Sequence, residues 1–276
     1  MTEQPDRMQT LADPMDIGRA QALAATLGDM TPIEVGDPLP PFAHHIYFWD
    51  AQPPNALGRD GHPAKGSFIP DLGLPRRMWA GSRLRFAAPL RIGRRLRKRS
   101  EVVAVQSKQG RSGALVFVTV RHQLFDGDTL GIDEEHDIVY REAPAPGTEQ
   151  PKLIQALATS EFSREICASP VLLFRYSALT FNGHRIHYDQ PFCTTTEGYD
   201  GLVVHGPLLA TLLLDLLRRQ LPQAQVTAFH FRALATIFDG ETFTLHGTRG
   251  VQDGTFQLWA QRPDGALAMQ AEAQIQ

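Results

Sequence analysis

Hydrophobic residues recur along this chain with two periods, and the switches between them mark its elements. Ile17, Ala20, Leu23, Ala24 and Leu27 fall at helical spacing, which predicts a short amphipathic surface helix over Ile17 to Leu27, capped by Asp13 ahead of Pro14. Pro32, Pro38, Pro40 and Pro41 then predict extended chain leading into the aromatic run Ile46-Tyr47-Phe48-Trp49. Residues 52–75 are rich in proline and glycine and carry no hydrophobic period. They predict a long irregular loop, and loops of that length inside a domain tend to serve function. Alternation predicts strands over Arg83 to Leu90, and over Glu101 to Ser107 with Val103 and Val105 on one face. A Lys108-Gln109-Gly110 turn leads to further strands over Ala114 to Gln123 and Glu134 to Arg141. Ala143 to Gln150 (APAPGTEQ) reads as a linker.

Beyond the linker the longest apolar run appears. Gly206-Pro207 opens a helix over Pro207 to Gln220, with proline at a favoured first position, and its leucines cover nearly the whole circumference, so it is buried on all sides. Asp239-Gly240, Asp253-Gly254 and Asp264-Gly265 punctuate short strands at steady spacing, which predicts an antiparallel meander. In the last strand Leu267, Met269, Ala271, Ala273 and Ile275 face one way and Gln270, Glu272 and Gln274 the other. Phe86, Ala88 and Ile92 match Phe231, Ala233 and Ile237 at a constant offset of 145 residues, with a glycine following in both. This match and the central linker favour two copies of one α+β fold, residues 1–145 and 151–276, each an antiparallel sheet with a helix against it.

Composition narrows the function classes. The hydrophobic fraction of 42% fills a core, and the net charge of −3 argues against a chain built to bind nucleic acid. The basic run Arg91 to Arg99 (RIGRRLRKR) has no interleaved aromatic, so it reads as a solvated strand end, with a cradle for coenzyme A phosphates as the functional alternative. Two cysteines, Cys167 and Cys193, cannot build a disulfide framework or a thiolate metal site. The acidic start MTEQPDRMQT and the short apolar run Leu208 to Leu217, which contains Asp215, predict neither a secretory signal nor a membrane span. A cytoplasmic protein with no nucleic-acid or membrane partner is expected.

The chemistry concentrates between Phe174 and Leu217. Asn182, His184, Arg185, His187, Tyr188 and Asp189 crowd together without a period, a short loop away from a buried helix N-terminus that carries His205 and Gly206. His184 and His187 are spaced to aim at one ion, but Asp189 is the only nearby carboxylate, so no metal is expected here. Free amides at a helix start suit a developing negative charge, and Gly206 lets a ligand approach closely while Pro207 cannot donate. Arg185 suits a substrate carboxylate, with Arg76 and Arg77 as further candidates.

Tyr176 to Asp189 (YSALTFNGHRIHYD) resembles the hydratase-2 motif of the MaoC-like enoyl-CoA hydratases, Tyr-Ser/Ala, two residues, then Ser/Thr-Gly-Asp-x-Asn-Pro-Ile/Leu-His-x-Asp. Val204-His205-Gly206-Pro207-Leu208 resembles that motif's His-Gly-Met-Leu turn into the central helix. In the first half, Leu74 to Gly81 (LPRRMWAG), Gly113 to His122 (GALVFVTVRH) and Glu134 to Glu142 (EEHDIVYRE) resemble the mesaconyl-C4-CoA and itaconyl-CoA hydratase branch. The resemblance implies a double hot dog with a degenerate first unit. It implies reversible hydration of a 2-enoyl-CoA, with a short dicarboxylic acyl group, no cofactor, and coenzyme A present only as part of the substrate. A homodimer is left open, because a double hot dog already supplies the usual pair within one chain.

The sequence departs from the motif where chemistry is decided. Asn182 stands where the family has its catalytic Asp, His184 where it has Asn, and Arg185 where it has Pro, while His187 is retained. An amide cannot take a proton from water, so His187 becomes the leading base, Asn182 an orienting group, and His184 or Asp189 a partner in proton handling. By the same resemblance Gly206, with His205 beside it, holds the thioester oxygen, and Tyr188 joins Arg185 in binding substrate. A hot-dog thioesterase using Asp189, and a non-catalytic acyl-thioester binder, are the alternative functions.

Overall fold

The computed structural model describes residues 7–66, 68–110, 113–142 and 152–276. The linker expected over Ala143 to Gln150 lies outside them. The first half contributes β1 (Met8–Asp13), α1 (Ile17–Thr26), β2 (Arg76–Phe86), β3 (Leu96–Gly110), β4 (Gly113–Asp126) and β5 (Thr129–Arg141). The second contributes β6 (Phe162–Cys167), α2 (Pro170–Thr180), α3 (Gly206–Gln220), β7 (Val226–Ala233), β8 (Thr242–Arg249), β9 (Thr255–Gln261) and β10 (Leu267–Ile275).

All ten strands join one antiparallel sheet in the order β1-β3-β4-β5-β2-β7-β10-β9-β8-β6. Read outward from the central β2–β7 seam, the two halves have the same strand order. Hydrogen bonds confirm the repeat position by position. Leu39 N–H donates to Leu90 O as Val204 N–H does to Ile237 O, and Gly93 N–H donates to Met15 O as Gly240 N–H does to Ala168 O. Ala87 and Ala88 share the carbonyl of Gly131 as Leu234 and Ala235 share that of Ala268. The end of β2 and the turn after it are therefore offset from their β7 counterparts by 147 residues, since Ala87 answers to Leu234 and Gly93 to Gly240. The sequence match at 145 was two residues out of step, and Phe86 is equivalent to Ala233.

The halves differ in what covers their concave faces. In the second half α3 lies against the sheet with Leu208, Leu209, Leu212, Leu213, Leu214, Leu216 and Leu217 all buried. Removing a Leu side chain from water contributes about 1.5–3 kcal/mol, so this helix anchors the core. Its one buried charge, Asp215, is held by Arg164, Arg218 and Arg219, each 2.8 Å away. In the first half the chain reaches the same starting point, makes a single 3-10 turn over Ala43–Ile46, and then leaves as the proline- and glycine-rich loop. Phe68, Ile69, Leu72 and Leu74 of that loop pack on Val116, Val118 and Val120, covering β4 where a helix would otherwise lie. One helix against each sheet is thus correct for the second half and wrong for the first.

Local departures have local causes. Asp16 caps α1 by accepting from Arg19 N–H, whereas Asp13 turns inward and accepts from Met15 N–H, Phe48 N–H and Arg19 Nη1. A bulge between Val102 and Ala104 breaks the alternation of β3, leaving Val103 exposed while Val105 packs inward. Lys108 and Gln109 continue β3 and do not turn. Arg91 and Arg94 lie in the turn before β3, bonded to Gly36 O and Asp126. At the seam Gly81 is required, because a Cβ there would meet Phe231 O at 2.3 Å. No helix among the described residues is long and apolar enough to cross a membrane.

Candidate functional site

The site is built where α2 ends and α3 begins. Ser169 caps α2 through Leu172 N–H, Pro170 takes the first turn, and Phe181 ends the helix in the left-handed conformation (φ 51°). Asn182 follows immediately, its Oδ1 accepting from His184 N–H at 3.0 Å, which leaves its NH₂ free to donate elsewhere. A 3-10 turn over Arg185–His187 then separates the side chains. His184 and His187 line a cavity, while Arg185 turns away to pair with Asp189 at 2.7 Å and lie over the Phe192 ring. The long loop clamps this turn from outside. Asp60 O accepts from Arg185 N–H, and at Gly61 (φ 85°) a Cβ would collide with Gly183 O at 2.0 Å.

His187 is enclosed and its orientation is fixed. Its Nδ1 sits 2.7 Å from Val203 O, and since a carbonyl only accepts, Nδ1 carries the proton and Nε2 presents a lone pair. Its ring stacks on His205 at 3.7 Å between centroids, and His205 in turn bonds Ser177 Oγ through Nε2 at 2.8 Å. Burial, then the neighbouring His184, pushes His187 down to about 3, and burial brings His184 to about 4. His62 and His205 are also held well below the usual imidazole range by burial. Four neutral imidazoles therefore run through the site, with His62 and His184 4.4 Å apart and His184 and His187 5.4 Å apart.

The cavity, of about 380 Å³, has His187, His184 and Asn182 along one wall and Gly206 at the N-terminus of α3 on another. The Gly206 amide has no partner among the described residues, since the first bond inside the helix is Leu209 N–H to His205 O. Ala233, Leu234, Ala235 and Ile237 make an apolar side. From the first half come Arg76 and Arg77. Arg76 is tied to Glu197 and lies over the Tyr199 ring. Arg77 bonds Pro63 O and approaches Asp60, and its buried Nε–H has no partner. A second recess of about 350 Å³ opens beside these arginines and adds Arg59 and Lys65.

The structure thus brings His187, Asn182, His184, Gly206, Arg76 and Arg77 to one cavity. Arg185, Tyr188 and Asp189 lie outside its lining. Tyr188 donates to Gly183 O, and Asp189 accepts from Arg185 and Phe192 N–H. Arg185, expected at a substrate carboxylate, instead lies outside the cavity lining with its guanidinium paired to Asp189. His205 lies behind His187 and so steadies that ring without facing the cavity. Sequence reasoning did not single out His62, Trp79, His136 and Tyr199 in the lining, although His62 sits in the loop marked as functional, Trp79 and His136 in the two first-half segments that carry the resemblance, and Tyr199 in the stretch where the chemistry concentrates.

Comparison with known proteins agrees with this geometry. The family profile described as hydroxyacyl-thioester dehydratase type 2 matches residues 42–239. A mesaconyl-C(4)-CoA hydratase from Chloroflexus aurantiacus is 43% identical over 274 residues, covering 98% of this chain and 95% of that protein. Among solved structures, a MaoC-like dehydratase from Phytophthora capsici superposes with a TM-score of 0.69 at 17% identity, covering 99% of this chain and 96% of that one. A Mycobacterium tuberculosis protein described as a double hotdog fold gives 0.60 at 15% identity, with 97% and 96% coverage. These structural likenesses establish the fold, a double hot dog.

Proposed function

The chain belongs to the hydroxyacyl-thioester dehydratase type 2 family, and from that premise we propose that it adds water reversibly across the 2,3-double bond of a short dicarboxylic enoyl-CoA, mesaconyl-C4-CoA or itaconyl-CoA. The observation that carries this reading is the pairing within one cavity of a neutral imidazole with Nε2 unengaged and an unpartnered amide at a helix N-terminus. Water gives a proton to His187 Nε2 while its oxygen bonds to C3. The π electrons move onto the thioester oxygen, where the Gly206 N–H and the dipole of α3 stabilise the enolate. The imidazolium then returns its proton at C2, so the net change is addition of one water. The Val203 carbonyl on Nδ1–H favours the charged ring during this exchange. Asn182 donates to water or thioester oxygen and takes no proton.

Arg77 is the group we assign to the second carboxylate of the substrate, because its buried Nε–H lacks an acceptor at the cavity wall. The recess with Arg59 and Lys65 suits the phosphates of coenzyme A, and the reaction as drawn needs no cofactor. In this reading residues 151–276 are the unit that carries the reacting groups, and residues 1–145 are the unit that supplies loop and arginines. The thioesterase alternative asks Asp189 to face a thioester, and that carboxylate is instead bonded to Arg185 and Phe192 N–H.

A panel of crotonyl-, mesaconyl- and itaconyl-CoA decides the matter by loss of the conjugated enoyl absorbance. His187→Ala is expected to lower the rate by roughly 10²–10⁴-fold, the range for losing a general base. Turnover of none of the three, or release of free thiol in step with the absorbance change, would overturn the proposal.

A further inference from the structure

Beneath the 3-10 turn of the first half lies a polar cluster that the proposed reaction does not use. Glu134, on the concave face of β5, is fully buried. His44 Nε2 is 3.0 Å from its Oε2, His45 Nε2 is 3.2 Å from the same oxygen, and Ser82 Oγ donates to Oε1 at 2.8 Å. The hydrogen bonds that relate the two halves make His44 and His45 the counterparts of Leu209 and Ala210, and Glu134 the counterpart of Ala271. One half therefore places two imidazoles and a carboxylate where the other places an apolar helix on an apolar strand.

A buried carboxylate beside one buried and one half-buried imidazole is costly unless its partners are fully satisfied. Here they are not. His45 Nε2 is close to Oε2 but makes no aligned hydrogen bond, and His44 Nδ1 has no partner either. Both Nε2 atoms lie close to the same carboxylate oxygen, at 3.0 and 3.2 Å, so three potential ligand atoms are gathered at one point.

We propose that His44 Nε2, His45 Nε2 and Glu134 Oε2 bind a divalent transition metal, with zinc as the fitting ion. These ligand atoms lie within 4.8 Å of one another. Zinc bonds of about 2.0–2.1 Å in tetrahedral geometry place ligand atoms roughly 3.3 Å apart, close to the two nitrogen–oxygen separations of 3.0 and 3.2 Å. Two histidines and a glutamate leave a fourth position, and a cavity of about 190 Å³, lined also by Lys98, His122 and His136, opens beside them with room for water. Ser82 holds the second oxygen of the carboxylate, the kind of outer support that fixes a metal ligand. To ligate through Nε2, His44 moves its proton to Nδ1, which is unpartnered in either tautomer. The ion ties the turn that replaces the missing helix to the sheet beneath it. It sits behind Trp79, 5.1 Å from the His45 ring, and so behind the wall of the reaction cavity and not in it. No metal was expected from the sequence around His184 and His187, and this site is elsewhere.

The test reads binding without reference to turnover. Full-length protein stripped with a chelator is titrated with Co(II), and four-coordinate visible absorption is expected to saturate at one equivalent per chain. Zinc at about 100-fold above its Kd is expected to raise Tm by roughly 5–10 °C. Glu134→Gln and His45→Gln are expected to abolish both signals, and His187→Ala to leave both intact. Should a variant fail to fold by circular dichroism, the wild-type titration and the His187→Ala control still decide. Absence of the Co(II) band in wild type, survival of the band in folded Glu134→Gln, or its loss in His187→Ala would each overturn the proposal, and none bears on whether hydration occurs.

Discussion

Replacing Gly206 by alanine separates the proposed catalytic role of the α3 terminus from its structural one. A Cβ at this position meets nothing closer than Trp79 O at 3.9 Å and Met269 Cε at 4.0 Å, both ordinary contacts. The glycine does not need a positive φ, so alanine costs no backbone strain, and its better helix propensity favours folding by up to about 1 kcal/mol. Gly206→Ala is thus expected to match or slightly exceed the wild-type Tm. The added methyl group nevertheless stands at the cavity wall beside the amide proposed to receive the thioester oxygen. Keeping that oxygen from its donor resembles deletion of an oxyanion-hole group, which costs roughly 10²–10³-fold in kcat, about 3–4 kcal/mol. Stopped-flow loss of enoyl absorbance gives kcat and KM, and a thermal melt gives stability. A folded Gly206→Ala protein with wild-type kcat would show that the thioester oxygen is held elsewhere and would refute the reasoning.

Further outcomes follow from the same geometry. Arg77→Gln is expected to raise KM roughly 10–100-fold for a dicarboxylic enoyl-CoA, the range for one charged hydrogen bond, and to leave crotonyl-CoA kinetics unchanged; equal effects on both substrates would count against a carboxylate partner. His187 and His205 are neutral in the fold and take up protons when the chain unfolds, so stability is fully present above about pH 6.5 and is lost progressively as pH falls from there toward the depressed folded values; His187 alone, held to about 3, contributes about 2 kcal/mol of loss at pH 5, visible in denaturant melts across that window. Leu213→Ala, at a fully buried position of α3, is expected to cost about 2–5 kcal/mol and roughly 5–15 °C in Tm, and a smaller shift in calorimetry would mean that the core collapses around the gap.

What the sequence made legible depended on how local each signal was. The leucines of α3 announce a buried helix by themselves, and the Asp-Gly turns mark the strands that follow. The helix α2 was hidden because Val171 and Phe174 are exposed and blur its apolar face, although Ser169-Pro170 is a helix start that could have been read. His187, Asn182 and Gly206, singled out by the motif, line one cavity, but the motif could not show that Arg185 would pair with Asp189, because a 3-10 turn sends neighbouring side chains to different sides. The His44–Glu134 contact bridges ninety positions of chain, and nothing in either segment alone points to the other.

The continuous sheet through the β2–β7 seam has an evolutionary corollary. In an assembly of identical subunits every substitution appears twice, so a change that improves one concave face spoils its mate. Joining both faces in a single polypeptide removes that constraint. One face could keep its leucine helix and the amide at its end, while the other gave up its helix and was free to acquire loop, arginines and the His-His-Glu cluster. The asymmetry between Leu209 and His44 is a difference that an assembly of identical subunits could not carry.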